Sequence, residues 1–386
     1  MNKKILLFTL VHPDFLPPVY AVAQVLRDLG FDIHILTFDS IVPAQLDLGN
    51  NIELETLGRH YDESPLQRLK LRNKFINRAK QLTRQNINAI ITFCPFSFLC
   101  GLKIKKNKPL IYITLEPSDF SLQLFLNSPL SNYRNLLALQ NISKADIVAT
   151  PSIQRSAWLA GRCHLNFMPY TILNTSYFNE EEENTYETFK ELVPPDFLDK
   201  KIILYTGAVN SDLCIMELVR AFDLVNDENS ALIITGVKDD EYGSDIKKFI
   251  ENCKSQKRIK LFPYLTRVQM LSLQSNAHIG ACLVREFEDN VKSKMIAPNK
   301  VGEYMSKKLY ILGIKAEYLM PFQMMGFASL ADSPTPRDIS KAIRKALITV
   351  NEKDNRSKIG IFVKDYFCMQ QQLKPVIKYI NEAISI

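Results

Sequence analysis

Pro298-Asn299-Lys300 opens a short helical stretch that carries one acid, Glu303, and runs into an apolar strand pattern over 309–313. The first N–H groups of a helix have no intrahelical partner and sit at the positive end of the dipole, so such a tip suits a phosphate. Asn299 can cap that end, and Lys300 adds a full charge beside it. Glu303 follows about one turn later, where a carboxylate can accept hydrogen bonds from two sugar hydroxyls. Diphosphate at the tip and ribose at the acid describe one end of a nucleotide-sugar. An ordinary surface helix with a proline start has the same residues, and spacing alone leaves both readings open.

Other polar candidates lie at expected strand ends. Arg285 follows an apolar run ending at Val284, with Lys292 and Lys294 in the next loop as weaker cations. His12 and Asp14 sit in a proline-stiffened loop after the first strand pattern, while Thr114 and Glu116 close a later one. Ligands of open α/β sheets bind at such carboxyl edges. A lone loop histidine is also an ordinary structural residue, and that reading of His12 stays open. No Asp-x-Asp, P-loop, Gly-x-Ser-x-Gly or dinucleotide glycine motif occurs. No histidines accompany Glu286-Phe287-Glu288 as metal ligands, so no metal site is expected.

The elements that must position these residues alternate. Short apolar runs read as strands at 4–10, 32–37, 52–57, 88–93, 109–115, 146–150 and 167–172. Helical-period segments fall near 17–29, 65–85, 97–104, 121–142 and 152–161. A second series has strands near 202–206, 231–235, 258–262, 278–284 and 309–313, with helices near 213–226, 241–254, 266–274, 299–307 and 336–349. This is the pattern of βαβ units and parallel sheets. The chain of 386 residues exceeds one core. We expect a first Rossmann-like domain over 1–178, an acidic linker over 179–200, a second over 201–353 and C-terminal helices over 354–386.

Composition excludes several classes. With 46% hydrophobic and 23% charged residues the chain is neither disordered nor fibrous. Seven cysteines without a close pair argue against a disulfide framework and for a reducing compartment. No apolar run is long enough to span a bilayer, and the N-terminal run reads as a buried strand rather than a signal peptide. The net charge of +7 is unevenly placed: from Ser64 to Leu115 there are eleven Lys or Arg and no acid. Seven of them lie within 65–85, interleaved with apolar residues. A basic amphipathic helix reads as a contact for an anionic membrane surface. The alternative is a solvated helix packed on its sheet. No recognised module accompanies the charge, which argues against nucleic acid.

Four stretches in order carry a resemblance: Ala145-Asp146-Ile147-Val148-Ala149-Thr150-Pro151-Ser152, Ile172-Leu173-Asn174-Thr175, Leu204-Tyr205-Thr206-Gly207 leading to Glu217, and Pro298-Asn299-Lys300 with Glu303-Tyr304. They resemble the family-4 (group 1) retaining glycosyltransferases of the GT-B fold. The resemblance implies two Rossmann-like domains facing each other across a cleft, with C-terminal helices returning to the first. It implies a nucleoside diphosphate sugar as donor, a glycan or lipid-linked acceptor, and no required cofactor. Lys300, Glu303 and Arg285 would serve the reaction. Gly207, Tyr264, Leu265, Pro298 and Asn299 would line the nucleotide, and His12, Asp14, Thr114 and Glu116 would face the acceptor. Cell-surface polysaccharide or glycolipid synthesis at the cytoplasmic face of a membrane follows. Three positions depart from the pattern: Met295 replaces the family's first acid, Leu213 the glycine loop's lysine, and Ile113 a common histidine. They leave a rival reading open, a weak or inactive GT-B homologue acting as a binding subunit.

Overall fold

The computed structural model describes residues 3–39, 49–59, 63–116, 129–179, 185–285, 295, 297–351 and 354–385. Contacts divide the chain into two units, Met1–Tyr177 with Met369–Ile386, and Phe178–Cys368.

The first unit holds seven parallel strands: β1 (Lys3–Phe8), β2 (Phe31–Thr37), β3 (Ile52–Thr56), β4 (Ala89–Thr92), β5 (Leu110–Ile113), β6 (Ile147–Thr150) and β7 (Tyr170–Thr171). Their order is β3-β2-β1-β4-β5-β6-β7. Both faces are covered because alternate residues point to opposite sides. Ile5 and Leu7 join one core with Val19, Val22 and Ile33, while Leu6 and Phe8 join another with Phe75, Ala79 and Phe98. The C-terminal helices complete the first of these cores: Met369, Leu373, Val376 and Ile380 are buried in it. Met369 N donates to Ser176 O at 3.0 Å, and Leu173 N to Gln372 Oε1 at 3.2 Å.

The second unit holds β8 (Lys201–Tyr205), β9 (Ser230–Ile234), β10 (Ile259–Leu261), β11 (Ile279–Cys282), β12 (Tyr310–Ile314) and β13 (Ala328–Ala331), ordered β10-β9-β8-β11-β12-β13. All pairings in both sheets are parallel. In each unit the order reverses beside the first strand, between β1 and β4 and between β8 and β11, which is where such sheets take ligands.

Several expected boundaries shift. The return to the first unit falls at Met369, not 354, because the helix Asn355–Asp365 packs within the second unit. Of the expected linker, 180–184 lie outside the described residues. The remainder includes the helix Tyr186–Leu192, which has Phe189 buried and packs on the helix Arg267–Asn276 of the second unit. Ser272 Oγ donates to Thr185 O at 2.9 Å. The first part of the helix expected over 121–142 is also outside the described residues, and its remainder spans Pro129–Gln140.

Candidate nucleotide site of the second unit

The loops after β8 and β9 meet at backbone distance. Gly207 has φ +115° and Gly236 φ +86°, and a Cβ on Gly236 would lie 2.0 Å from Gly207 O. Only glycine combines that φ with that approach. The turn after β10 is tied to the same place: Gly236 N donates to Pro263 O and Val237 N to Phe262 O, both at 3.1 Å. Three strand ends thereby form one backbone-walled edge, with Tyr264 49% exposed beside it.

The helix Asn299–Ser306 is seated on this edge by Tyr304. The Tyr304 ring lies where a Cβ on Gly280 would be, so β11 needs glycine there for space. Its hydroxyl accepts from Thr206 N at 2.8 Å and meets Thr206 Oγ1 at 3.0 Å. Burial pushes the Tyr304 hydroxyl well above the usual tyrosine range, so it remains a neutral hydrogen-bonding group. Anchoring one turn of this helix fixes the turn before it. Lys300 Nζ rests 4.0 Å from the centroid of the Tyr205 ring, a cation–π contact, and beside Gly207. The expected Asn299 cap is corrected. Pro298 is the N-cap residue, with φ −69° and ψ 129°, and no side chain caps this end. Asn299 is already the first helical residue, one position too late to cap.

Glu303 is buried, and its Oε1 is ion-paired with Arg267 Nη1 from the helix Arg267–Asn276. Gln274 Nε2 of that helix donates to Glu303 Oε2 at 3.4 Å. Sequence reading missed both partners. Arg285 is already engaged: Nη2 donates to Glu217 Oε1 at 2.7 Å, and its backbone N to Asp212 O at 2.9 Å. It therefore braces the turn holding Leu213 and Cys214 against the end of β11. Met295 is buried, while Lys292, Lys294, Glu286 and Glu288 lie outside the described residues.

The first-unit candidates stand at the ends of β1 and β5. His12 is 3% exposed, and its Nδ1 accepts from Asp14 N at 3.3 Å, capping the turn Pro13–Phe15. Asp14 Oδ1 accepts from Tyr20 OH at 3.1 Å. Thr114 Oγ1 donates to Glu116 O at 2.9 Å, and Glu116 is exposed. One unforeseen cluster lies on the sheet. His34 is opposite Glu53 in register, with Nδ1 2.8 Å from Glu53 and Nε2 2.9 Å from Glu55, and Arg78 holds Glu55 at 2.7 Å. These residues bring three ligand-type atoms within 4.8 Å. Each imidazole nitrogen already faces its own carboxylate, and a guanidinium occupies the third side, so the cluster is an ion-paired brace between β2, β3 and the helix Pro65–Leu82.

No protein-family model and no curated protein sequence matches the chain. Solved structures do. Sucrose-phosphate synthase from Thermosynechococcus elongatus is 15% identical with TM-score 0.68, covering 99% of this chain and 100% of that one. Anabaena HepE in complex with UDP-glucose is 13% identical with TM-score 0.65 over the same shares. The UDP-forming α,α-trehalose-phosphate synthase from Burkholderia xenovorans, in complex with glucose-6-phosphate, is 12% identical with TM-score 0.66, covering 98% and 100%. Two parallel sheets of matching strand order, C-terminal helices completing the first unit, and this likeness along the whole chain identify the fold as GT-B.

Proposed function

We propose that the chain is a metal-independent, retaining hexosyltransferase similar to family 4. It would transfer a sugar from a nucleoside diphosphate donor to a glycan or lipid-linked acceptor in cell-surface polysaccharide or glycolipid synthesis. The observation that carries this reading is Lys300, held beside Gly207 on the Tyr205 ring, with the carboxylate of Glu303 about one turn behind it. The uncapped helix tip and the ammonium receive the diphosphate and stabilise it as negative charge develops on departure. Glu303 takes the ribose, and the turn with Tyr264 and Leu265 takes the base. The acceptor hydroxyl attacks from the face the diphosphate leaves, and its proton passes to the departing phosphate oxygen. No protein base is then needed. Arg285 serves indirectly, by bracing the glycine loop. His12, Asp14, Thr114 and Glu116 are proposed to face the acceptor.

A thermal-shift screen against UDP, GDP, ADP, CMP and dTDP tests the donor, since only a bound ligand raises the folded state's stability. UDP heads the list because HepE is described with UDP-glucose. No shift with any of them would remove the donor site. Nucleotide release with and without acceptor separates transferase from binding subunit, the reading that Met295, Leu213 and Ile113 favour.

Lys300→Ala is expected to weaken a nucleoside diphosphate by about 1.5–3 kcal/mol while leaving the bare nucleoside unchanged. Calorimetry with both ligands checks this, and equal losses would make the lysine structural.

We also propose peripheral binding to an anionic membrane, on the cytoplasmic face, through the helix Pro65–Leu82. No helix among the described residues is long and apolar enough to cross a membrane. Phe75, Ala79 and Leu82 face the core, while Leu66 and Leu69 are 65% and 55% exposed beside Arg68 and Lys70. The expected lack of compensating acids is corrected at Arg78, which Glu55 neutralises from β3. Lys70→Glu with Leu66→Ser and Leu69→Ser should abolish co-sedimentation with anionic vesicles at low salt and spare nucleotide binding, each basic residue contributing about 1 kcal/mol. A wild type that ignores such vesicles would leave a solvated helix.

A further inference from the structure

The carboxylate proposed for ribose is held by two groups that no motif supplies. Arg267 and Gln274 stand seven residues apart on the helix Arg267–Asn276, two turns along the same face. Their setting is rigid at its start. Thr266 Oγ1 accepts from Gln269 N at 3.3 Å, and Gln269 Oε1 accepts from Thr266 N at 3.1 Å, closing a reciprocal cap around Arg267. From this face Arg267 pairs with Glu303 Oε1, and Gln274, itself 0% exposed, donates to Oε2. Swapping the Gln274 amide would set oxygen against oxygen, so the assigned orientation is the one that bonds.

A carboxylate that is 8% exposed is costly to bury alone. The guanidinium offsets its charge, and the amide fixes the plane in which its lone pairs lie. Gln274 Oε1 is buried with no hydrogen-bond partner, whereas Glu303 Oε1 is taken up by the Arg267 guanidinium. A carboxylate held in one plane keeps lone pairs on its oxygens, the acceptors that the two O–H groups of a vicinal diol require. Resting on the nucleotide reading above, we propose that Arg267 and Gln274 are positioning residues that aim Glu303 at a ribose diol. Through Glu303 they set the preference for ribonucleoside over 2′-deoxyribonucleoside diphosphates.

The test is the ratio of affinities, by calorimetry, for UDP against 2′-deoxy-UDP and for GDP against 2′-deoxy-GDP. It is measured on wild type, Arg267→Met, Arg267→Lys and Gln274→Met. Wild type should favour the ribo form of the diphosphate it binds by roughly ten- to a hundredfold. Arg267→Met should bring that ratio below about threefold, Arg267→Lys should restore most of it, and Gln274→Met should fall between. A merely structural role would lower both affinities and leave the ratio. A folded Arg267→Met with the wild-type ratio overturns the proposal. Should that variant not fold, a wild-type ratio in Gln274→Met overturns it equally. A wild type that binds ribo and deoxy forms alike removes Glu303 from the ribose and this proposal with it. A wild type that binds no nucleoside diphosphate overturns the functional reading itself.

Discussion

Glu303→Gln should lower the affinity for a nucleoside diphosphate by about 1.5–3 kcal/mol, the measure of a charged hydrogen-bond partner lost. The glutamine keeps the shape of the side chain and one acceptor oxygen, so the loss reads on the charge. Glu303→Ala should do more. It removes every acceptor oxygen that would face the ligand and leaves Arg267, 17% exposed, with neither a carboxylate nor an amide oxygen beside it. The pair lies between an exposed bridge and a fully buried one, so about 2 kcal/mol of stability should go with it. Calorimetry on both variants, with denaturant midpoints alongside, separates the two effects. Unchanged nucleotide affinity in Glu303→Gln would take the ribose from this residue.

The second large effect is structural. Gly236→Ala places a Cβ 2.0 Å from Gly207 O and asks an L-residue to hold φ +86°. Strain in the left-handed region and forced separation of two backbones together cost about 2–5 kcal/mol. Because Gly207 lies beside Lys300, the same displacement should weaken diphosphate binding. Gly326→Ala is the control, with φ +79° but nothing within 4 Å of its Cβ. It should carry only the conformational cost of about 1–2 kcal/mol. Equal midpoints for the two alanine variants would show that the β8 and β9 loops do not press on each other.

The parallel βα pattern was legible because strands buried on both faces are continuous apolar runs, as in Ile202–Tyr205 and Ala231–Ile234. β13, Ala328-Ser329-Leu330-Ala331, escaped notice since small residues and a serine carry no β signal. Tyr186–Leu192 was hidden in an acidic context, where only Phe189 marks a buried face. At the candidate site, Lys300 and Glu303 were legible as a pair because they share one short helix with a proline start. Arg267 and Gln274 could not: their helix meets Glu303 only through tertiary packing, and a hydrophobic period says nothing about which polar side chain ends beside which acid. His12 likewise has a partner that spacing does not specify, its Nδ1 accepting from Asp14 N in the turn Pro13–Phe15.

The placement of Met369, Leu373, Val376 and Ile380 in the first core bears on how the protein is made. A ribosome delivers β1 to β7 early and these four residues only after the entire second unit. The first unit therefore emerges with part of its apolar core, beside the helix Pro17–Asp28, not yet covered by residues from beyond Cys368. The second unit, continuous from Phe178 to Cys368, can close first, although it is translated later. Vectorial synthesis thus leaves the earlier half waiting, exposed to chaperones and proteases for the interval needed to translate the later one.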